Sequence, residues 1–308
     1  MSDFTSAKTS HRHGVISVLV ALPFVSLTGL FGKFLTLSPL LIVQGRTVFA
    51  FGALLLALFF LRKKIFFSDL REWLWLALSG SILGVHWIAF FQAIQVSTVA
   101  IGLLSFASYP LFTTLLEPLF FREPLRVRNV FAALIVICGL ALMATSSSDD
   151  SNTIISGSVF HGILWGLMAG FGFAVLTLLN RGHVRKHSAL LITCWQNGFA
   201  ALVILPWSLS ESWILSGKEL GLLFLLGVVC TVGGHTLLIN GLRHVRAQVA
   251  SLLIAGLEPV FAILFALFLL GEVPSLQTLL GGVLIISTTV FIIYGTEQKE
   301  IPEQAVSK

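Results

Sequence analysis

The sequence predicts an all-α integral membrane protein of ten transmembrane helices, arranged as two inverted five-helix repeats. Three observations carry this. Apolar residues make up 56% of the chain and charged ones 11%, with a mean hydropathy of +0.96; a soluble domain carries about 25% charged residues. Ten apolar segments approach the roughly 20 residues that a membrane crossing needs. One stretch occurs twice, because His86, Pro110 and Glu123 recur as His235, Pro259 and Glu272 at a constant offset of 149.

In order, the segments run 14–35, 39–61, 72–92, 98–121, 128–145, 158–180, 188–207, 219–241, 248–270 and 275–295. The first is too long for a signal-peptide core and is expected to be retained as a span. Glycines recur inside the segments, among them Gly80, Gly166, Gly227 and Gly281, where small residues let helix backbones approach. Trp73, Trp75, Trp207 and Trp213 fall near segment ends and suit the interfacial belts. Cys138, Cys194 and Cys230 all lie in apolar segments and form no CxxC, so neither disulfides nor a metal site is expected.

Orientation follows from Lys and Arg. With the N-terminus in the cytoplasm, the inner connections and tails hold sixteen of the nineteen basic residues, from Lys8 and Arg12 to Lys299 and Lys308. The outer side keeps Lys33 and Lys218, and Arg46 lies within a span. Both termini are therefore expected inside the cell inner (plasma) membrane. The same scatter of basic clusters excludes a nucleic-acid partner, since no single basic arm or patch collects the net charge of +5. Five spans per half is an odd number, so the second unit is inverted relative to the first. The expected divisions are a cytoplasmic tail 1–13, a first unit 14–145, a periplasmic linker 146–157, a second unit 158–295 and a cytoplasmic tail 296–308.

Each unit closes on a proline segment followed by an acid. The second has Glu258-Pro259-Val260-Phe261, then Leu270-Gly271-Glu272 and Gly281-Gly282; the first has Tyr109-Pro110-Leu111, then Arg122-Glu123-Pro124 and Gly139. Leu164-Trp165-Gly166 resembles the opening motif of such a unit. In this duplicated order the chain resembles the EamA-domain family of the drug/metabolite transporter superfamily, over nearly its whole length. The resemblance implies a secondary transporter, often an exporter of amino acids or other small metabolites. Arg46 sits where family members often carry an arginine.

Ionisable groups inside a membrane are expensive and so are functional candidates. Glu258, directly before Pro259, is the most central acid, and Arg46 is the one basic residue at depth. A guanidinium can hold a substrate carboxylate through two hydrogen bonds; the alternative is that Arg46 and Glu258 merely pair with each other. His86 and His235 could serve proton coupling, or could simply pack helices. Tyr109 is the repeat counterpart of Glu258, and both are expected to line a cavity together with Trp87, Gln44, Gln196 and Asn197. Pro110 and Pro259 are expected to break their helices, as in transporters that bind substrate at interrupted spans. Glu123 and Glu272 are expected to cap the helices that follow them.

An enzyme is disfavoured: Asp3, Asp69, Asp149 and Asp150 all lie outside the spans, and neither HExxH nor GxSxG occurs. No Walker motif GxxxxGK[ST] points to ATP, and no cofactor is implied. The expected function is secondary transport, in the direction of export, of an amino acid or related zwitterion, by alternating access between the two units. A channel-like facilitator or a non-transporting scaffold remains the alternative. The expected partners are the lipid bilayer and a small-molecule substrate, with the chain a monomer or homodimer.

Overall fold

A computed structural model describes residues 2–121, 127–145, 157–184, 186–245, 247–288 and 290. Residues 146–156 of the expected linker, the C-terminal tail and Glu123 lie outside the described residues, and Gly157 already belongs to a helix. The helices are α1 (Ser2–Phe34), α2 (Pro39–Phe60), α3 (Leu70–Val96), α4 (Val99–Phe106), α5 (Tyr109–Phe121) and α6 (Val127–Ala144) in the first half. The second half has α7 (Gly157–His183), α8 (Ala189–Ser208), α9 (Gly217–Phe224), a π-helical segment (Leu225–His235), α10 (Thr236–Gly241), α11 (Ala247–Leu270) and α12 (Leu276–Thr288). Helix α4 runs on into α5 as one span, and α9, the π segment and α10 form another. Eight spans are long and apolar enough to cross a membrane, with α6 and α12 as shorter apolar helices among the described residues. At about 1.5 Å per residue, α6 is about 27 Å long, close to the hydrocarbon thickness. Large apolar side chains such as Phe59, Ile137 and Phe268 are exposed, as a lipid-facing surface requires.

Two differences from the sequence reading concern where helices start and break. Helix α1 already begins at Ser2, so the polar tail is helical and its membrane-crossing part is Arg12–Phe34. The expected break at Pro110 appears just ahead of it, at Ala107-Ser108, whereas α11 continues through Pro259 without interruption. Hydroxyls explain the contrast. Ser108 Oγ donates to the Ser105 carbonyl at 2.7 Å, and the Ser108 and Leu111 amides bond the Ser105 and Ser108 carbonyls in tight turns. The residues before Pro259 are Gly256, Leu257 and Glu258. With no neighbouring hydroxyl to hold such a turn, the buried Pro259 stays inside a continuous helix.

The two units interleave. Helix α3 packs on α7 and α8, α2 packs on α8 and on the π segment, and α1 packs on α11. The repeat is visible in single contacts. A Cβ at Gly80 would meet the Phe199 Cβ at 2.6 Å and the Gln196 carbonyl at 2.8 Å. One at Gly227 would meet the Phe49 Cβ at 2.7 Å and the Arg46 carbonyl at 2.8 Å. Both sites need glycine because two backbones touch there. The N-caps match as well: Ser38 Oγ accepts from the Leu41 amide and Ser188 Oγ from the Leu191 amide, each at 3.3 Å.

The second unit winds differently in its third span. Asp69 and Ser216 cap equivalent helices at an offset of 147, which still holds at Gly80 and Gly227 but becomes 149 at His86 and His235. Two additional residues therefore lie between Gly227 and His235, inside the π segment. A π-helix closes i to i+5 and so fits more residues into each turn.

Connections at each end lie on two faces. At one face Lys33 Nζ donates to the Ser97 carbonyl at 2.6 Å, and the Val99 amide donates to Glu272 Oε2 at 2.9 Å. Glu272 thus caps α4, a helix of the other unit, rather than the helix that follows it; the chain turn after α11 brings its carboxylate to the exposed amides at the start of α4.

Candidate functional site

A cavity between the units is lined by Arg46 from α2, His86, Trp87 and Phe90 from α3, and Phe106 from α4. Phe173 of α7, Cys230 and His235 of the π segment, and Glu258 of α11 complete its main walls. The lining thus draws on both units. The cavity holds about 50 Å³ of open space, room for about four waters.

Arg46 stands eight residues beyond its N-cap Ser38, on the helix row that faces the π segment. It is 3% exposed. Its Nε and Nη2 both donate to Thr231 Oγ1, at 3.1 and 2.9 Å. The Thr231 hydroxyl in turn donates to the Leu226 carbonyl at 2.8 Å, five residues back. The guanidinium carbon lies 3.7 Å from the centre of the Trp87 ring and 5.6 Å from that of Phe91. A cation against a tryptophan face in a desolvated site gains about 2 kcal/mol. Nη1 is buried without a hydrogen-bond partner. The guanidinium is thus anchored along one edge, and the other edge has no hydrogen-bond partner.

Glu258 is 5% exposed and borders the same cavity. No ion pair joins it to Arg46 among the described residues, where the ion pairs gather on Glu72 instead. The pairing considered from sequence is therefore absent, and each charge meets the cavity separately. His86 Nδ1 lies 2.8 Å from the Ala169 carbonyl; a carbonyl only accepts, so Nδ1 carries a proton there. The His235 ring meets Trp87 at 5.7 Å, and its Nε2 is buried without a partner.

The other residues expected in the site are buried elsewhere. Tyr109 packs behind the lining, stacked on Phe106 at 5.2 Å and edge-on to Phe173 at 4.8 Å. Gln196 donates to Ser79 Oγ at 3.0 Å and to Asn180 Oδ1 at 2.6 Å, and Asn197 donates to the Thr193 carbonyl at 2.8 Å. Gln44 is buried, and its Oε1 has no partner. None of these four borders the cavity. Pro110 and Pro259 adjoin Tyr109 and Glu258. No cluster of His, Cys, Asp or Glu among the described residues could hold a metal ion.

Thr231, Cys230 and the phenylalanines of the lining escaped the sequence reading. Only the change of offset from 147 to 149 signals that something is inserted near Thr231. Phenylalanines cannot be sorted into lining and lipid-facing sets from a chain that has 26 of them.

Comparison with known proteins bears on what this cavity is for. The EamA-like transporter family matches the chain twice, over residues 12–145 and 160–294. The chain belongs to that family. It is 27% identical over 261 residues to the uncharacterized transporter YwfM of Bacillus subtilis, covering 81% of this chain and 84% of that one. It is 31% identical over 208 residues to the S-adenosylmethionine uptake transporter of Rickettsia prowazekii, covering 67% of this chain and 66% of the relative. A solved crystal structure superposes with a TM-score of 0.63 at 17% identity, over 91% of this chain and 94% of that one, and shares the fold. This EamA-like protein is a multi-pass membrane transporter, and its cavity is lined by residues of both repeats.

Proposed function

We propose that this protein moves a small zwitterion of the amino-acid class across the cell's plasma membrane, by alternating access between its two repeats, with both termini cytoplasmic. The observation that supports this most directly is that an arginine and a glutamate border one cavity without pairing with each other among the described residues. Arg46 has an unpaired Nη1 for a carboxylate, while Glu258 borders the same cavity with no ion pair among the described residues, where an ammonium or another cation could meet it. Trp87, Phe90, Phe106 and Phe173 supply apolar and aromatic walls for the side chain. S-adenosylmethionine, the cargo named for the rickettsial relatives, is an amino acid with a second cationic centre and an aromatic base, and it belongs to the same class. A gradient rather than ATP drives the cycle. Export was the sequence expectation, whereas these relatives are named for uptake, so direction has to be read in both senses.

The test is a thermal-shift screen of the purified protein against amino acids and S-adenosylmethionine, followed by counterflow in proteoliposomes. A bound ligand raises the melting temperature by mass action. Arg46→Ala and Glu258→Gln should each abolish the shift and the counterflow while the protein remains monodisperse. A monodisperse Arg46→Ala protein with undiminished counterflow removes the carboxylate receptor and this reading with it. In the same vesicles His86 and His235 are assigned to proton coupling: an imposed pH gradient should drive transport, and His86→Gln or His235→Gln should blunt the response. An unchanged gradient dependence in both variants rules that role out.

A further inference from the structure

The inverted repeat pairs two connectors at opposite faces of the protein: α1 to α2 (residues 35–38) and α7 to α8 (described at residues 184 and 186–188). Each ends in the serine N-cap of the following helix, Ser38 or Ser188. Each connector is gripped twice by the other elements, from equivalent positions. Glu72, in the first turn of α3, lies 3.4 Å from the Nε2 atoms of both His183 and His187 and 3.8 Å from Lys186 Nζ. Its counterpart Glu219, in the first turn of α9 at the offset of 147, accepts from Thr36 Oγ1 at 2.6 Å. Neighbouring Glu211 accepts from Ser38 Oγ on the same connector. The second grip comes from the far ends of these spans. Arg243, just past α10, donates through Nη2 to the His187 carbonyl at 2.8 Å. Gln95, near the end of α3, donates through Nε2 to the Leu37 carbonyl at 2.9 Å.

We infer that these two connectors are the gates of the transport cycle, with Glu72 and Glu219 as their latches at opposite membrane faces. Helix α3 holds one connector at its start and the other at its end, and the π-containing span does the same in reverse. A tilt of either span that lifts a connector at one face therefore presses on the other connector at the opposite face. That is the mechanical requirement of alternating access. Both latches are engaged in this one arrangement of the helices. The chemistry of the two is unlike: Glu72 faces His183, His187 and Lys186, whereas Glu219 and Glu211 face hydroxyls.

The inference rests on the alternating-access reading above, and its test needs no substrate, so the two can fail separately. Cys230 borders the cavity and reports its opening. With Cys138 and Cys194 changed to Ser, labelling of Cys230 by a membrane-impermeant thiol reagent is timed in right-side-out and inside-out vesicles. Glu72→Gln should speed labelling on the order of threefold from one face only, the size expected for losing partly exposed polar contacts to His183, Lys186 and His187. Glu219→Gln should speed it from the opposite face. His187→Gln must act on the same face as Glu72→Gln, and Thr36→Val on the same face as Glu219→Gln; these carry the test if a glutamate variant fails to insert. Acceleration from both faces alike, or from neither, overturns the gate assignment.

Discussion

The Thr231 hydroxyl has one proton and two acceptor positions, and all three are in use: it donates to the Leu226 carbonyl and accepts from Nε and Nη2 of Arg46. It fixes the guanidinium plane against Trp87 and leaves Nη1 as the edge without a hydrogen-bond partner. A receptor held in its bound geometry before the ligand arrives loses less freedom on binding. Thr231→Val keeps the shape and deletes the hydroxyl, leaving two buried N–H groups unpaired at a cost of about 1–3 kcal/mol. The variant should lose on the order of tenfold in apparent substrate affinity and melt at a lower temperature, while Thr231→Ser should recover most of both. Equal behaviour of Val and Ser at this position, in transport titrations and thermal melts, would show that the hydroxyl positions nothing.

At the scale of elements, the close crossings of the inverted repeat are symmetric down to the atom. Gly80 sits on the α8 backbone as Gly227 sits on the α2 backbone. An added Cβ would lie 2.6–2.8 Å from the opposing Cβ and carbonyl atoms at each site, and these cannot step aside as a flexible side chain can. Overpacking of this kind costs about 1–3 kcal/mol. Gly80→Ala and Gly227→Ala should therefore lower the melting temperature by similar amounts, while Gly221→Ala, which meets nothing within 4 Å, should be neutral or mildly stabilising in α9. A Gly227→Ala protein as stable as the parent would contradict the crossing. The spans, the duplication and the depth of Arg46 and Glu258 were all legible in the sequence, because hydropathy and charge act locally along the chain. The partners were not. Thr231 meets Arg46 only because the second unit takes up two additional residues in a π-helical turn, and Glu272 caps a helix 173 positions away. Pro110 and Pro259 look alike in sequence and differ in structure because only Pro110 follows Ser105 and Ser108.

For the whole molecule, the packing crosses between the units more than it stays within them. Helix α3 lies against α7 and α8, α2 against α8 and the π segment, and α1 against α10 and α11. Arg46 of the first unit finds its hydroxyl in the second, and Glu72 of the first latches onto histidines of the second. A unit expressed alone would leave Arg46 or Thr231 without its partner and expose the glycine crossings, where membrane helices associate through close backbone contact rather than through hydrophobicity. The two units joined only by the linker should therefore behave as two halves of one fold. Cutting the gene after Ser151 and co-expressing residues 1–151 with 152–308 should yield fragments that copurify and keep the ligand-induced thermal shift. Each fragment alone should aggregate in detergent. A monodisperse, cooperatively melting single fragment would mean that the units fold independently and dock afterwards, and the interleaved crossings would then be an interface rather than a shared core.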